Sequence, residues 1–212
     1  QFARRQMTWL RREPALRWLQ AFLLQEGPGA ITRHFTLEAH LNKGRTVRIT
    51  TDASPWGIGG YITVDGVIWY YFHDAVSNYD VEILGMKIGE ADSQQCSECL
   101  AALVALELWA EMWQCSRVRL QVRADSTTTL TMVRKLRAKG LGLSMTSQEL
   151  ALVVASGTYE PDLCTHTPGV QNKVADDLSR LREPRRPWAL PELLQGATRC
   201  TPPERNPQWR HS

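Results

Sequence analysis

Apolar and polar residues alternate from Thr46 to Asp52, with Val47, Ile49 and Thr51 on one parity and Arg48, Thr50 and Asp52 on the other. A period of two predicts a half-buried strand. Two further strand-like runs, Ile58–Val64 and Val67–Phe72, flank Asp65-Gly66, a pair that favours a tight hairpin. The three runs predict an antiparallel meander. Gly57, Gly59 and Gly60 are spaced too irregularly to cradle a phosphate and read as a turn and bulge. A second alternation sets Val118, Leu120, Val122 and Ala124 against Arg117, Arg119, Gln121, Arg123 and Asp125. Asp52 and Asp125 thus each close a strand.

The pattern changes to helical between Ser97 and Trp113, where Glu98, Ala102, Ala105, Trp109 and Met112 share one face. Leu100, Ala101, Leu103, Val104, Leu106 and Leu108 fill most other positions, so this helix is expected to be buried. A carboxylate in such a helix must be neutralised, paired or bound to a cation. No Lys or Arg follows Glu98 within two turns, and a metal ion would resolve the cost. The remaining pattern predicts a short helix near Thr127–Ala138, a break at Gly140-Leu141-Gly142, a helix near Ser147–Ser156, a strand near Tyr159–Thr165 and a closing helix. Together these make a mixed α/β domain.

Taken singly, each acid also fits a turn former, a helix N-cap or a first-turn acid meeting the helix dipole. Taken in order, Asp52, Glu98, Asp125 and Asp176 carry more. The segments T-D-A-S-P-W-G-I-G-G-Y, E-C-L-A-A-L, R-A-D-S and H-T-P-G-V-Q-N-K-V-A-D-D-L-S-R resemble, in that order, the ribonuclease H domains of retroelement reverse transcriptases of DIRS or gypsy type. The resemblance covers roughly Thr46 to Leu181. It implies a ribonuclease H-like fold: a mixed five-stranded sheet, antiparallel meander then parallel strands, flanked by helices.

The same resemblance implies that Asp52, Glu98, Asp125 and Asp176 hold two Mg²⁺ ions, replaceable by Mn²⁺, and cut the RNA strand of an RNA/DNA hybrid beside an upstream reverse transcriptase domain. A helical wheel with Val174, Leu178 and Leu181 as its stripe places Asp177 nearer the core, whereas the family register selects Asp176. Asp176 is the choice and Asp177 the runner-up. Candidate substrate contacts are Ala53, Ser54 and Trp56 after the first acid, Ser126 and Thr127 after the third, and the basic pair Arg134 and Lys135. Many relatives place Gln where Thr127 stands. His166 is read as a structural residue at a strand end, with product release as its secondary role. Two rival readings are a non-catalytic scaffold of the same fold and a resolvase of DNA junctions.

With 212 residues and 43% hydrophobic content, the chain is long enough for one domain with extensions. Residues 46–182 are expected to form the catalytic domain, 1–45 a helical connection to the polymerase and 183–212 a Pro/Arg-rich extension. Met7–Leu24 has the pattern of an amphipathic helix, followed by a Gly27-Pro28-Gly29 break. No apolar run is long enough to span a bilayer, and the start at Gln1 reads as that of an excised piece with no signal peptide. Net charge is +3, yet residues 46–179 hold ten Lys/Arg against sixteen acids. Weak intrinsic grip on nucleic acid is therefore expected, with Arg134, Lys135, Arg137 and Lys139 as the basic exception. Five cysteines without a regular framework predict free thiols and an intracellular setting. Cys96 and Cys99 lack the second pair that a structural zinc site needs.

Overall fold

The computed structural model describes residues 44–114, 118–156 and 161–205. Three strands open it: β1 (Arg45–Ala53), β2 (Gly57–Val64) and β3 (Val67–Ala75). They pair antiparallel, with Thr50 opposite Tyr61 and Tyr61 opposite Tyr71. The hairpin between β2 and β3 turns at Asp65 (φ 52°) and Gly66 (φ 89°), the left-handed geometry that an Asp-Gly pair tolerates. Asp65 is further fixed by accepting from the Thr46 amide at 2.8 Å and from Arg45 Nε at 3.0 Å.

Five helices and two parallel strands follow: α1 (Asn78–Leu84), α2 (Gln94–Leu108), α3 (Glu111–Gln114), β4 (Val118–Ala124), α4 (Thr127–Lys135), α5 (Leu141–Ser156) and β5 (Pro161–His166). The helix α6 (Lys173–Ser179) and a two-residue strand, β6 (Thr198–Arg199), close the order. The sheet runs β5-β4-β1-β2-β3-β6, with β4 parallel to β1 and β5 parallel to β4. This is the meander followed by parallel strands that the sequence predicts, with one strand more than the five expected. The extra strand comes from the Pro-rich tail, whose backbone pairs with Tyr70 and Tyr71 and covers the edge of β3.

Strand alternation sorts side chains onto two faces. Val47, Ile49, Ile58, Ile62 and Phe72 pack against α2, α4 and α5 in the main core, where residues Ser97 to Leu106 of α2 are all buried. Phe72 meets Trp109 edge to face, with ring centroids 5.6 Å apart. Tyr61, Ile68 and Tyr71 emerge on the other face, under Leu178 and Leu181 from α6 and just beyond it and under Leu194 of the tail.

Several boundaries move from their expected places. Helix α2 breaks at Trp109 before α3, and α4 ends at Lys135 because Leu136 adopts a left-handed conformation (φ 55°). Helix α5 begins at Leu141, so the predicted Gly140-Leu141-Gly142 break stops at Gly140, and Gly142 is helical. Helix α1 has no counterpart among the expected elements; the Ser77 and Asp80 side chains form a reciprocal capping box at its start. The predicted helix Met7–Leu24 and Cys115 lie outside the described residues.

Candidate active site

Asp52 sits one residue before the end of β1, and Asp125 directly follows β4. Parallel pairing of these strands brings their ends together, and α2 lays Glu98 across them. Asp52, Glu98 and Asp125 each present a carboxylate oxygen, and all three oxygens lie within 4.8 Å of one another. Asp52 and Glu98 are each only 4% exposed. Such a cluster of buried like charges is stable only if protonated or bound to a cation. Burial first, then the neighbouring acids, push Asp52 up to about 8 and Glu98 up to about 9.

One oxygen of Glu98 is held and the other is not. Gln94 donates to Glu98 Oε1 at 2.9 Å and to the Ala53 carbonyl at 2.6 Å, linking α2 to the end of β1. Glu98 Oε2 is buried and has no hydrogen-bond partner. An orphaned carboxylate oxygen beside two further carboxylates fits a hard divalent cation such as Mg²⁺, which takes oxygen ligands and keeps part of its water shell. Among the described residues this is the group of metal-ligating side chains that meets such a distance test.

Asp176 approaches from the opposite face on α6. Its charge raises the affinity of Asp52 for a proton. It is not within the mutual 4.8 Å of the other three, and it also accepts from Arg180 Nε at 2.5 Å. Asp177 points elsewhere and pairs with Arg186 at 2.6 Å. The helical wheel would favour Asp177; the structure turns Asp176 to the cluster because α6 sits at the strand ends.

Close approach makes this docking work. A Cβ at Gly59 would stand 2.6 Å from the Leu178 Cβ and from the Ser179 nitrogen, and one at Gly57 would stand 2.8 Å from the Ser179 carbonyl oxygen. The two glycines let α6 lie directly on β2. Asn172, 1% exposed, donates to the Thr51 carbonyl at 3.2 Å and holds the loop before α6 to the strand bearing Asp52.

The candidate substrate contacts separate into two groups. Ser54 is fully buried; its hydroxyl donates to Ser179 and accepts from the Trp56 and Gly57 amides, so it supports the site from within rather than facing a ligand. Ala53 is buried, with its carbonyl taken by Gln94, and Ser126 caps α4 by accepting from the Thr129 amide. Trp56 is half-buried, and Thr127 is exposed at the first turn of α4.

Thr127 also lines a cleft of about 830 Å³ between the start of α2, α4 and α5, together with Gln95, Thr131, Arg137, Lys139 and Ser144 among others. The basic residues in that cleft are Arg137 and Lys139; Arg134 and Lys135 are exposed on the last turn of α4 and do not line it. Gln94, Gln95 and Asn172 escape sequence reasoning as site residues. Only the i, i+4 spacing of Gln94 and Glu98 signals one of them. His166 is exposed at the end of β5, in register with Ala124 and hence beside Asp125. The loop after it carries Gly169, where an added Cβ would stand 3.7 Å from Asp125 Oδ2.

No protein-family model matches the chain, and no curated protein matches it. Among solved structures it is similar to LC11 ribonuclease H1 in complex with an RNA/DNA hybrid, at 20% identity and a TM-score of 0.49 over 62% of this chain and 92% of that one. It is also similar to ribonuclease H1 from Halobacterium salinarum, at 15% identity and a TM-score of 0.46 over 65% and 96% of the two chains. The N-terminal ribonuclease H domain of a Mycobacterium tuberculosis protein is a further neighbour, at 16% identity and a TM-score of 0.43 over 63% of this chain and 90% of that one. With every score below 0.5, the function of this chain is read from its own residues.

Proposed function

We propose that this chain is an endoribonuclease that cuts the RNA strand of RNA/DNA hybrids, working as the ribonuclease H domain of a retroelement reverse transcriptase. The observation that carries the reading is the convergence of buried Asp52 and Glu98 with Asp125, leaving Glu98 Oε2 without a partner. Asp176, whose charge acts on Asp52, is the fourth ligand in this reading. Bound Mg²⁺ ions, with Mn²⁺ as a substitute, would supply an activated water and charge neutralisation at the leaving 3′ oxygen.

The residues supply everything else. Asp52, Glu98 and Asp125 would hold such ions through their carboxylate oxygens. Gln94 keeps Glu98 Oε1 in place so that Oε2 faces the cluster. Thr127, Thr131, Arg137 and Lys139 line a cleft whose two cations suit a phosphate backbone. His166, exposed at the end of β5 in register with Ala124, is the candidate for assisting product release. Discrimination of RNA from DNA requires a contact to the 2′-hydroxyl, and the exposed Thr127 hydroxyl is the candidate for it.

Purified chain incubated with labelled hybrid and Mg²⁺ is expected to cut the RNA strand alone, leaving duplex DNA, duplex RNA and a four-way junction intact. Cutting of the junction would replace this reading with a resolvase. No cutting by the chain together with its polymerase would replace it with a scaffold.

A further inference from the structure

The residues after α6 return to the domain they leave. Leu194, 4% exposed, packs on Tyr71, Leu178 and Leu181, and Ala197 joins the same cluster. β6 then pairs with β3, and the Cys200 amide donates to the Tyr71 carbonyl at 2.8 Å. At Arg205 the segment ends in a buried lock. The guanidinium, with its side chain 2% exposed, donates through Nε to both oxygens of Asp80 at 3.0 and 2.9 Å. It also donates to Asp74 Oδ2 at 2.6 Å and to the Ala75 carbonyl. Asp80 is itself fully buried and holds the Ser77 cap. A guanidinium fork fits such a set of planar acceptors; an ammonium does not.

What Arg205 grips lies next to what holds α6. Ala75 is opposite Gly57 in the sheet, and the Gly57 Cα abuts both the Asp74 carbonyl and the Ser179 carbonyl. Leu194 presses on α6 from outside, over Leu178, two residues after Asp176. We infer that residues 194–205 form a strap along the edge of β3 that presses Leu194 on α6, is locked by Arg205 on Asp74 and Asp80, and positions Asp176 for cation binding. Arg205 and Leu194 are thus positioning residues of the site, although neither touches it. The inference rests on the reading of Asp176 as a metal ligand. It makes the Pro-rich tail a working part of the catalytic unit rather than a linker.

A double-mutant cycle in the full chain tests it, with Mg²⁺ affinity measured by calorimetry and hybrid cutting measured alongside. Arg205→Gln is expected to weaken Mg²⁺ binding by about tenfold, the size typical when support of a metal ligand is lost. On an Asp176→Asn background the same change is expected to add little, because its effect runs through Asp176. Leu194→Ala loosens the strap without burying an unpaired charge, and it is expected to follow the same pattern if Arg205→Gln fails to fold. Equal losses in both backgrounds, or unchanged Mg²⁺ affinity in folded variants, would overturn the strap. Mg²⁺ binding by the parent chain that ignores Asp176→Asn would instead overturn the assignment of Asp176 on which the strap depends.

Discussion

The Ser54 hydroxyl donates to the Ser179 carbonyl at 2.8 Å, joining the turn after the Asp52 strand to the last residue of the Asp176 helix. The same oxygen accepts from the Gly57 amide at 3.2 Å. Two acids separated by most of the domain are thereby held in one frame. Ser54→Ala leaves the Ser179 carbonyl without its Ser54 donor, a loss of about 1–3 kcal/mol. Chemical denaturation measures that loss. The hybrid-cutting rate is expected to fall further than that of a surface control such as Glu82→Ala.

Gly59 offers a steric version of the same test. A methyl group there meets Leu178 and the Ser179 backbone at 2.6 Å, a distance that backbone cannot relieve without moving. Gly59→Ala is expected to lift α6, destabilising the domain by roughly 1–3 kcal/mol as overpacking does, and to weaken Mg²⁺ binding. A melting curve with and without Mg²⁺ reads both effects.

The buried acids set a pH dependence whose sign can be worked out. Asp52 and Glu98 have pKa values raised to about 8 and about 9 in the fold. Between their unfolded values and these, the folded state binds more protons than the unfolded one, so metal-free stability falls as pH rises. His73 acts oppositely. It is buried, both ring nitrogens lack partners, and burial with the nearby Arg199 and Arg182 lowers it to about 4. Its contribution is present above the ordinary histidine value and is lost as pH falls toward 4. Two carboxyls outweigh one imidazole where the windows overlap, so melting temperature in chelator is expected to decline as pH rises toward about 8–9, less steeply below the ordinary histidine value than above it. Mg²⁺ is expected to remove the alkaline decline, because cations take the place of the protons. An alkaline limb that keeps its full steepness in Asp52→Asn would contradict this origin.

The cleft makes a separate prediction. Arg137→Ala and Thr131→Ala change residues that line it without belonging to the acid cluster. KM for hybrid is expected to rise severalfold and to depend less steeply on salt for the arginine change, while the rate at saturating hybrid stays within about twofold. Steady-state kinetics at two salt concentrations checks this.

Much of the domain was legible because strand and helix periods differ. The alternations at Thr46–Asp52 and Val118–Asp125 place β1 and β4, and the all-apolar run around Leu100 marks α2 as buried. Glu98 stands out in the sequence because an acid there has no nearby basic partner. The tail was less legible. Its prolines and exposed tryptophan suggest a linker, and its order depends on contacts such as Arg205 with Asp80, which are 125 positions apart and carry no local signature. Asp176 and Asp177 illustrate the same limit, since the close approach of α6 to the sheet depends on Gly57 and Gly59, more than a hundred positions away in sequence. Ser54 looks like a ligand contact in a T-D-A-S motif, and only its burial reveals a supporting role.

The most direct test is single-turnover cutting of an RNA/DNA hybrid by the chain and by Asp125→Asn across a Mg²⁺ titration. The acid cluster predicts Mg²⁺-dependent scission of the RNA strand that falls by at least about a hundredfold in the variant, as loss of a major electrostatic contribution does. Equal cutting by both proteins, or cutting indifferent to Mg²⁺, would contradict the account.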